Sequence, residues 1–289
     1  MTSLELVRLT RLMERTSGHP DMVVALIDGP VSTTHPDLAS AAIRGCSDDN
    51  GGTCRQPNSL ACQHGTFVAG ILCAKRGSIA PAISPKCTLL THPIFPETVV
   101  SDVQLPTAKP EELARAVLAC VDAGAHAVNL SLALAQPSLK EEHDLEAAFN
   151  YAAKRGVLVV SAAGNQGTLG GTSITRHPWV IPVVACTNSG WPINASNLGG
   201  SIGMRGLRAP GENITSLGTG GQPLTFGGTS AAAPFVTGAI GLLWSLFPAA
   251  TASQIKQAIT HAHRSRRATV VPPLLDAWAA YEALATMVV

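Results

Sequence analysis

Three short stretches carry the side chains that acyl transfer would need. LIDGPVSTTHPDL closes an apolar run with Asp28, CQHGTFVAGILCA places His64 at a helix start because Gly65-Thr66 opens an apolar helical stretch, and FGGTSAAAPF sets Ser230 among small residues. A carboxylate at the end of a buried strand is costly unless something accepts its charge, so Asp28 calls for a partner. An imidazole is such a partner, and it is also the side chain best suited to taking and returning a proton near neutral pH. A hydroxyl whose proton goes to that imidazole can attack a carbonyl carbon. Each residue alone has a plainer reading: Asp28 can cap the turn at Gly29-Pro30, His64 can be structural, and Ser230 can be a helix N-cap.

The elements that would hold these residues come next. After GGTS, the segment AAAPFVTGAIGLLWSLF is apolar nearly all round, the mark of a helix inside the domain. Pro234 is tolerated only near a first turn, so this helix is expected to begin at Thr229 or Ser230. Ser230 then stands at the helix mouth, where unpaired N–H groups and the positive dipole end favour a developing oxyanion. Residues 22–28, MVVALID, read as a parallel strand buried on both faces, and so do TLLTHPIF, AVNLSLA, VLVVSAA and VIPVVACT. Between Pro110 and Gly124, residues Leu113, Ala116, Val117, Cys120 and Val121 recur at helical spacing behind a proline and two glutamates. A second such helix, over 140–155, carries Leu145, Ala148, Phe149 and Ala152 and stops at Gly156. Strands alternating with helices predict an α/β fold of three layers, a mainly parallel central sheet with helices on both faces. The chain reads as one domain over 1–289, with an N-terminal extension over 1–20 and C-terminal helices over 251–289 packed on the core. Ligands of such sheets sit beyond the carboxyl ends of the strands, which is where Asp28 falls.

Composition narrows the partners. Of 289 residues 46% are apolar and only 13% charged, with a formal net charge of +1, and no basic stripe is interleaved with aromatics, so no nucleic acid is expected. The N-terminal residues carry charges every few positions, without the apolar core of a secretory signal, and no long membrane run follows. A cytoplasmic location without membrane attachment is expected. Seven cysteines include three close together, Cys46, Cys54 and Cys62, but neither paired CxxC spacing nor interleaved histidines accompany them, so no metal and no cofactor is expected. Free thiols are the first expectation for this group, with a disulfide inside the loop as the rival. Cys120 and Cys186 lie among apolar residues and read as small core side chains.

Read together, VVALIDGPVSTTHPDL, HGTFVAGIL, VNLSLA, VVSAAGNQG and FGGTSAAAPFVTGA resemble the signature blocks of subtilisin-like serine proteases, in that family's order and approximate spacing, from Met22 to Phe247. The order Asp, His, Ser also speaks against an α/β-hydrolase, where the serine comes first in a GxSxG elbow. The resemblance implies a serine endopeptidase with Ser230 as nucleophile, His64 as its base and Asp28 orienting the imidazole. It implies that the Asn165 side chain serves as oxyanion donor, and that Ser131, Leu132 and Ala133 with Ala162, Ala163 and Gly164 line the substrate site. The expected partner is a peptide. A catalytically silent peptide-binding module on the same fold is the alternative in another class.

Departures from the family pattern carry their own expectations. SLAL stands where secreted relatives have SLGG, so Ala133 and Leu134 would narrow the pocket. Lys75 and Arg76 stand where secreted relatives bring calcium-binding oxygens, and a cation would be repelled there. About 20 residues precede the first strand, too few for the folding prodomain of exported enzymes, so the expectation is a protein that either folds unaided or has lost that part. IDGPV with THPDL, and SPKC with PIF, most resemble the proteases that mature ribosomally made peptides of the cyanobactin type. Those that join peptide ends carry a helical insertion between aspartate and histidine. Here that interval is polar, glycine-rich and without helical periodicity, so hydrolysis and leader removal are expected rather than macrocyclisation.

Overall fold

The apolar runs become strands and the amphipathic stretches become the layers that cover them. The structure, a computed structural model, describes residues 1–46, 52–97, 108–132, 142–261 and 269–287. Two short N-terminal helices, α1 (Ser3–Leu6) and α2 (Leu9–Arg15), lead into β1 (Val23–Asp28), β2 (Ile43–Gly45) and α3 (Leu60–Cys73). Next come β3 (Thr88–Pro93), α4 (Pro110–Asp122), β4 (Ala127–Leu130), α5 (His143–Lys154), β5 (Leu158–Ala162), α6 (Ser173–Arg176), β6 (Val180–Cys186), α7 (Gly200–Arg205) and β7 (Leu207–Pro210). A hairpin of β8 (Ile214–Leu217) and β9 (Pro223–Phe226) precedes α8 (Thr229–Leu246), α9 (Ala252–His261) and α10 (Ala277–Met287).

The central sheet runs β2-β3-β1-β4-β5-β6-β7 and is parallel throughout. Alternation along the strands sorts the core into two layers. Val24 and Leu26 of β1, with Leu158 and Val160 of β5, face α3 and α8, whereas Ala25 and Ile27, with Leu90 of β3, face α4 and α5. Among the described residues α8 alone is long and apolar enough to cross a membrane, and 83% of it is buried inside the protein. It is the core helix, holding the sheet through fully buried side chains such as Phe235, Ile240 and Leu243, each worth about 1.5–3 kcal/mol of transfer.

Two expectations are corrected here. His64 does not open its helix: α3 begins four residues earlier, where the Ser59 hydroxyl accepts the Cys62 N–H at 3.2 Å, and the imidazole sits in the second turn. Nor are the clustered cysteines all free. Cys54 and Cys62 form a disulfide, because the bridge between Val31 and Thr53 brings Cys54 beside the first turn of α3, with 5.5 Å between Cα atoms. Cys46 remains a thiol and turns toward α4.

The loop after α3 is held in an unexpected way. The Arg76 guanidinium donates to the carbonyls of Met13, Thr16 and Ile83, tying the N-terminal segment to the loop with its own charge. A protein cation thus gathers three backbone carbonyls in this loop.

Candidate active site

Asp28 ends β1 fully buried, and one oxygen does most of the work: Oδ1 accepts the Gly29 N–H at 2.6 Å and the His64 Nδ1–H at 2.7 Å. Among the described residues its Oδ2 is buried without a partner. An ionised carboxylate can only accept, so Nδ1 carries the proton and Nε2 of the neutral ring keeps its lone pair. The pair is closed off from solvent, the side chains being 0% and 7% exposed, so their attraction is little screened.

Two glycines let β1 and α3 approach closely enough for this contact. A Cβ on Gly29 would lie 2.0 Å from the Ala61 carbonyl oxygen, and one on Gly65 would lie 2.2 Å from that of Gly29. The Thr66 hydroxyl adds a tie, accepting the Ser32 N–H at 2.9 Å. Phe226 covers the outer side of the imidazole at 6.1 Å between ring centres and packs edge-on against Phe67 at 5.1 Å.

Ser230 is the second residue of α8, as the proline argument required. Pro234 has no N–H to offer the Ser230 carbonyl four residues back, and the Ser131 hydroxyl replaces it at 3.0 Å. Ser131 is in turn held by Asn129 Nδ2 at 2.7 Å, and Asn129 Oδ1 accepts the Thr237 hydroxyl at 2.7 Å. A fully buried polar chain from α8 through β4 therefore returns to the backbone of Ser230. Among the described residues no hydrogen bond joins Ser230 Oγ to His64; such contacts commonly tighten only when substrate arrives.

The Asn165 side chain is oriented by Thr229. Its Oδ1 accepts the Thr229 N–H at 2.9 Å and the Thr229 hydroxyl at 3.0 Å, which fixes the amide and turns Nδ2 the other way. Gly228 leaves room for this: its φ is +108°, and a Cβ there would lie 2.9 Å from Nδ2. Gly164 donates its N–H to the Thr229 hydroxyl at 3.2 Å, so the Gly164-Asn165 turn and the start of α8 form one unit. Leu132, Ala162 and Ala163 are buried, and Ala133 lies outside the described residues.

The structure thus brings Asp28 and His64 into contact, with Ser230 and Asn165 anchored on the α8 mouth. Thr229, Asn129, Thr237 and Phe226 escaped the reading of the sequence. All four stood inside quoted motifs, Asn129 in VNLSLA and Phe226, Thr229 and Thr237 in FGGTSAAAPFVTGA, but a motif does not say which side chains will meet. An imidazole with a free lone pair, a hydroxyl at a helix N-terminus and a side-chain amide donor are suited to acyl transfer through a tetrahedral oxyanion. Two groups among the described residues have metal-ligand character: Cys46 with His92 and Cys120, and Cys54 with Cys62 and Glu97, the second closed by the disulfide.

The profile of the subtilase family matches residues 19–275. A thermostable alkaline protease of Halalkalibacterium halodurans is 30% identical over 237 residues, which are 82% of this chain and 60% of that protein. The chain spans between 39% and 60% of the length of the first curated relatives it matches. Among solved structures, the prenylagaramide maturation protease PagA superposes with a TM-score of 0.82 at 27% identity, covering 96% of this chain and 98% of PagA. The PatG macrocyclase in complex with peptide has a TM-score of 0.83 at 20% identity, covering 97% of this chain and 96% of that one, a likeness of fold.

Proposed function

The chain belongs to the subtilase family, and from that premise we propose that it is a serine endopeptidase that removes a leader from a ribosomally made precursor peptide. In this mechanism Ser230 Oγ bonds to the carbonyl carbon of the scissile peptide while its proton passes to His64 Nε2. The C–N bond then breaks, His64 returns the proton to the departing amine, and an acyl-enzyme remains. Water enters, gives its proton to His64, and releases the acid and the Ser230 hydroxyl. Asp28 holds the ring and balances its positive charge. Asn165 Nδ2 and the Ser230 N–H stabilise the oxyanion. The substrate lies extended between the segments at Ser131-Leu132 and Ala162–Gly164, adding to an open backbone edge, which selects for unfolded peptides.

The observation that carries this reading is the 2.7 Å contact from His64 Nδ1 to a fully buried Asp28, a pairing that leaves Nε2 ready to accept. Hydrolysis is favoured over end-joining because the described residues between Asp28 and α3 hold only a three-residue 3-10 helix, Pro36–Leu38, and the short strand β2. A cytoplasmic location is part of the proposal. Mass spectrometry of the products of a leader-bearing peptide tests it: hydrolysis gives two linear fragments whose masses sum to the substrate plus one water, while a product lighter than its linear form by one water would establish macrocyclisation.

A further inference from the structure

A second constellation lies on the other face of the same strand end. Cys46 follows β2 and extends its ladder, its N–H donating to the Thr91 carbonyl at 3.1 Å; His92 is on β3, in register with Ile27 of β1; Cys120 is buried on α4. One ligand atom from each lies within 4.8 Å of the others, and the two sulfurs are 3.3 Å apart. We propose that Cys46, His92 and Cys120 form a zinc site that clamps the β2–β3 edge of the sheet to α4.

The distance between sulfurs favours a shared ion over a covalent bond. Two thiolates on one tetrahedral zinc, at about 2.3 Å each, stand about 3.8 Å apart. Reaching that from 3.3 Å takes about half an ångström, whereas a disulfide at about 2.05 Å would need the sulfurs to close by more than an ångström. Thiolate and imidazole together suit zinc better than calcium or magnesium, which take oxygen. Cys46 is half-buried, which leaves an approach for the ion and a fourth position for water. No motif spacing marks this site, because positions 46, 92 and 120 belong to three separate segments of the chain. The clamp would brace β3 beside Asp28, since Pro93 pairs with that residue across the sheet.

The test uses the full chain purified without chelator. Elemental analysis should find close to one zinc per chain, lost in Cys46→Ser, Cys120→Ser and His92→Asn but retained in the double variant C54S/C62S. Cobalt(II) added to the zinc-free protein should develop a thiolate-to-metal charge-transfer band, a readout that does not depend on any variant folding. Zinc absent together with a Cys46–Cys120 disulfide in non-reducing peptide maps would overturn the site, as would zinc that persists in C46S and disappears in C54S/C62S.

Discussion

His64 and His92 stand near the carboxyl ends of the strands, on opposite faces of the sheet, and their neighbours divide them. His64 meets a carboxylate at 2.7 Å through one nitrogen and keeps the other free, the setting of a group that moves protons. His92 has a ring nitrogen within 4.8 Å of two sulfurs, the setting proposed above for a group that holds something still. The side chain is the same in both places, so the partner brought by the neighbouring element decides its chemistry. The separation is testable: changes around His64 should move turnover and leave stability nearly alone, and changes around the cysteines should do the reverse.

The largest effect is expected from the proton-transfer row. Ser230→Ala and Asp28→Asn should each lower kcat by on the order of 10⁴-fold or more, the scale known for serine protease triads including subtilisin's own. Their zinc content should stay at that of the parent. Loss of zinc in Asp28→Asn would break the division between the two faces. Next comes Asn165→Ala, for which kcat should fall by about 10²–10³-fold with little change in KM, again the scale of subtilisin's own oxyanion asparagine. An equal rise in KM with kcat unchanged would mean that Asn165 only binds substrate.

Smaller effects should fall on stability. Arg76→Ala strands three carbonyls that share one guanidinium and should cost about 2–4 kcal/mol in denaturant unfolding, while a calcium-selective chelator leaves the parent's Tm unchanged. A drop in Tm with that chelator would show calcium where the guanidinium is assigned. The least costly change is opening the disulfide. Cys54 and Cys62 are 8 positions apart, and closing so short a loop stabilises by about 2–3 kcal/mol, so C54S/C62S should unfold at correspondingly lower denaturant.

The two histidines also mark how far the sequence could be read. Asp28, His64, Asn165 and Ser230 each sit in a contiguous block whose glycines, apolar run or proline constrain the local backbone, and the strands and helices around them fell within a few residues of where periodicity put them. Pro234 even located the start of α8. What stayed hidden depends on register between distant segments. The Asn129–Thr237 bond needs β4 and α8 packed at one height, the Cys54–Cys62 bond needs a bridge between Val31 and Thr53, and the cysteine–histidine cluster needs β2, β3 and α4 in one place. Local patterns carry no record of such meetings. His64 was misplaced within its helix for a simpler reason: the capping role of Ser59 was overlooked.

The central claim is that Ser230 is an activated hydroxyl whose proton His64 takes. Treating the protein with a fluorophosphonate probe and mapping the adduct by mass spectrometry tests it most directly. A single adduct on Ser230, absent in Ser230→Ala and formed far more slowly in His64→Ala, is the expected result; an unlabelled Ser230, or labelling at the same rate without His64, would contradict it.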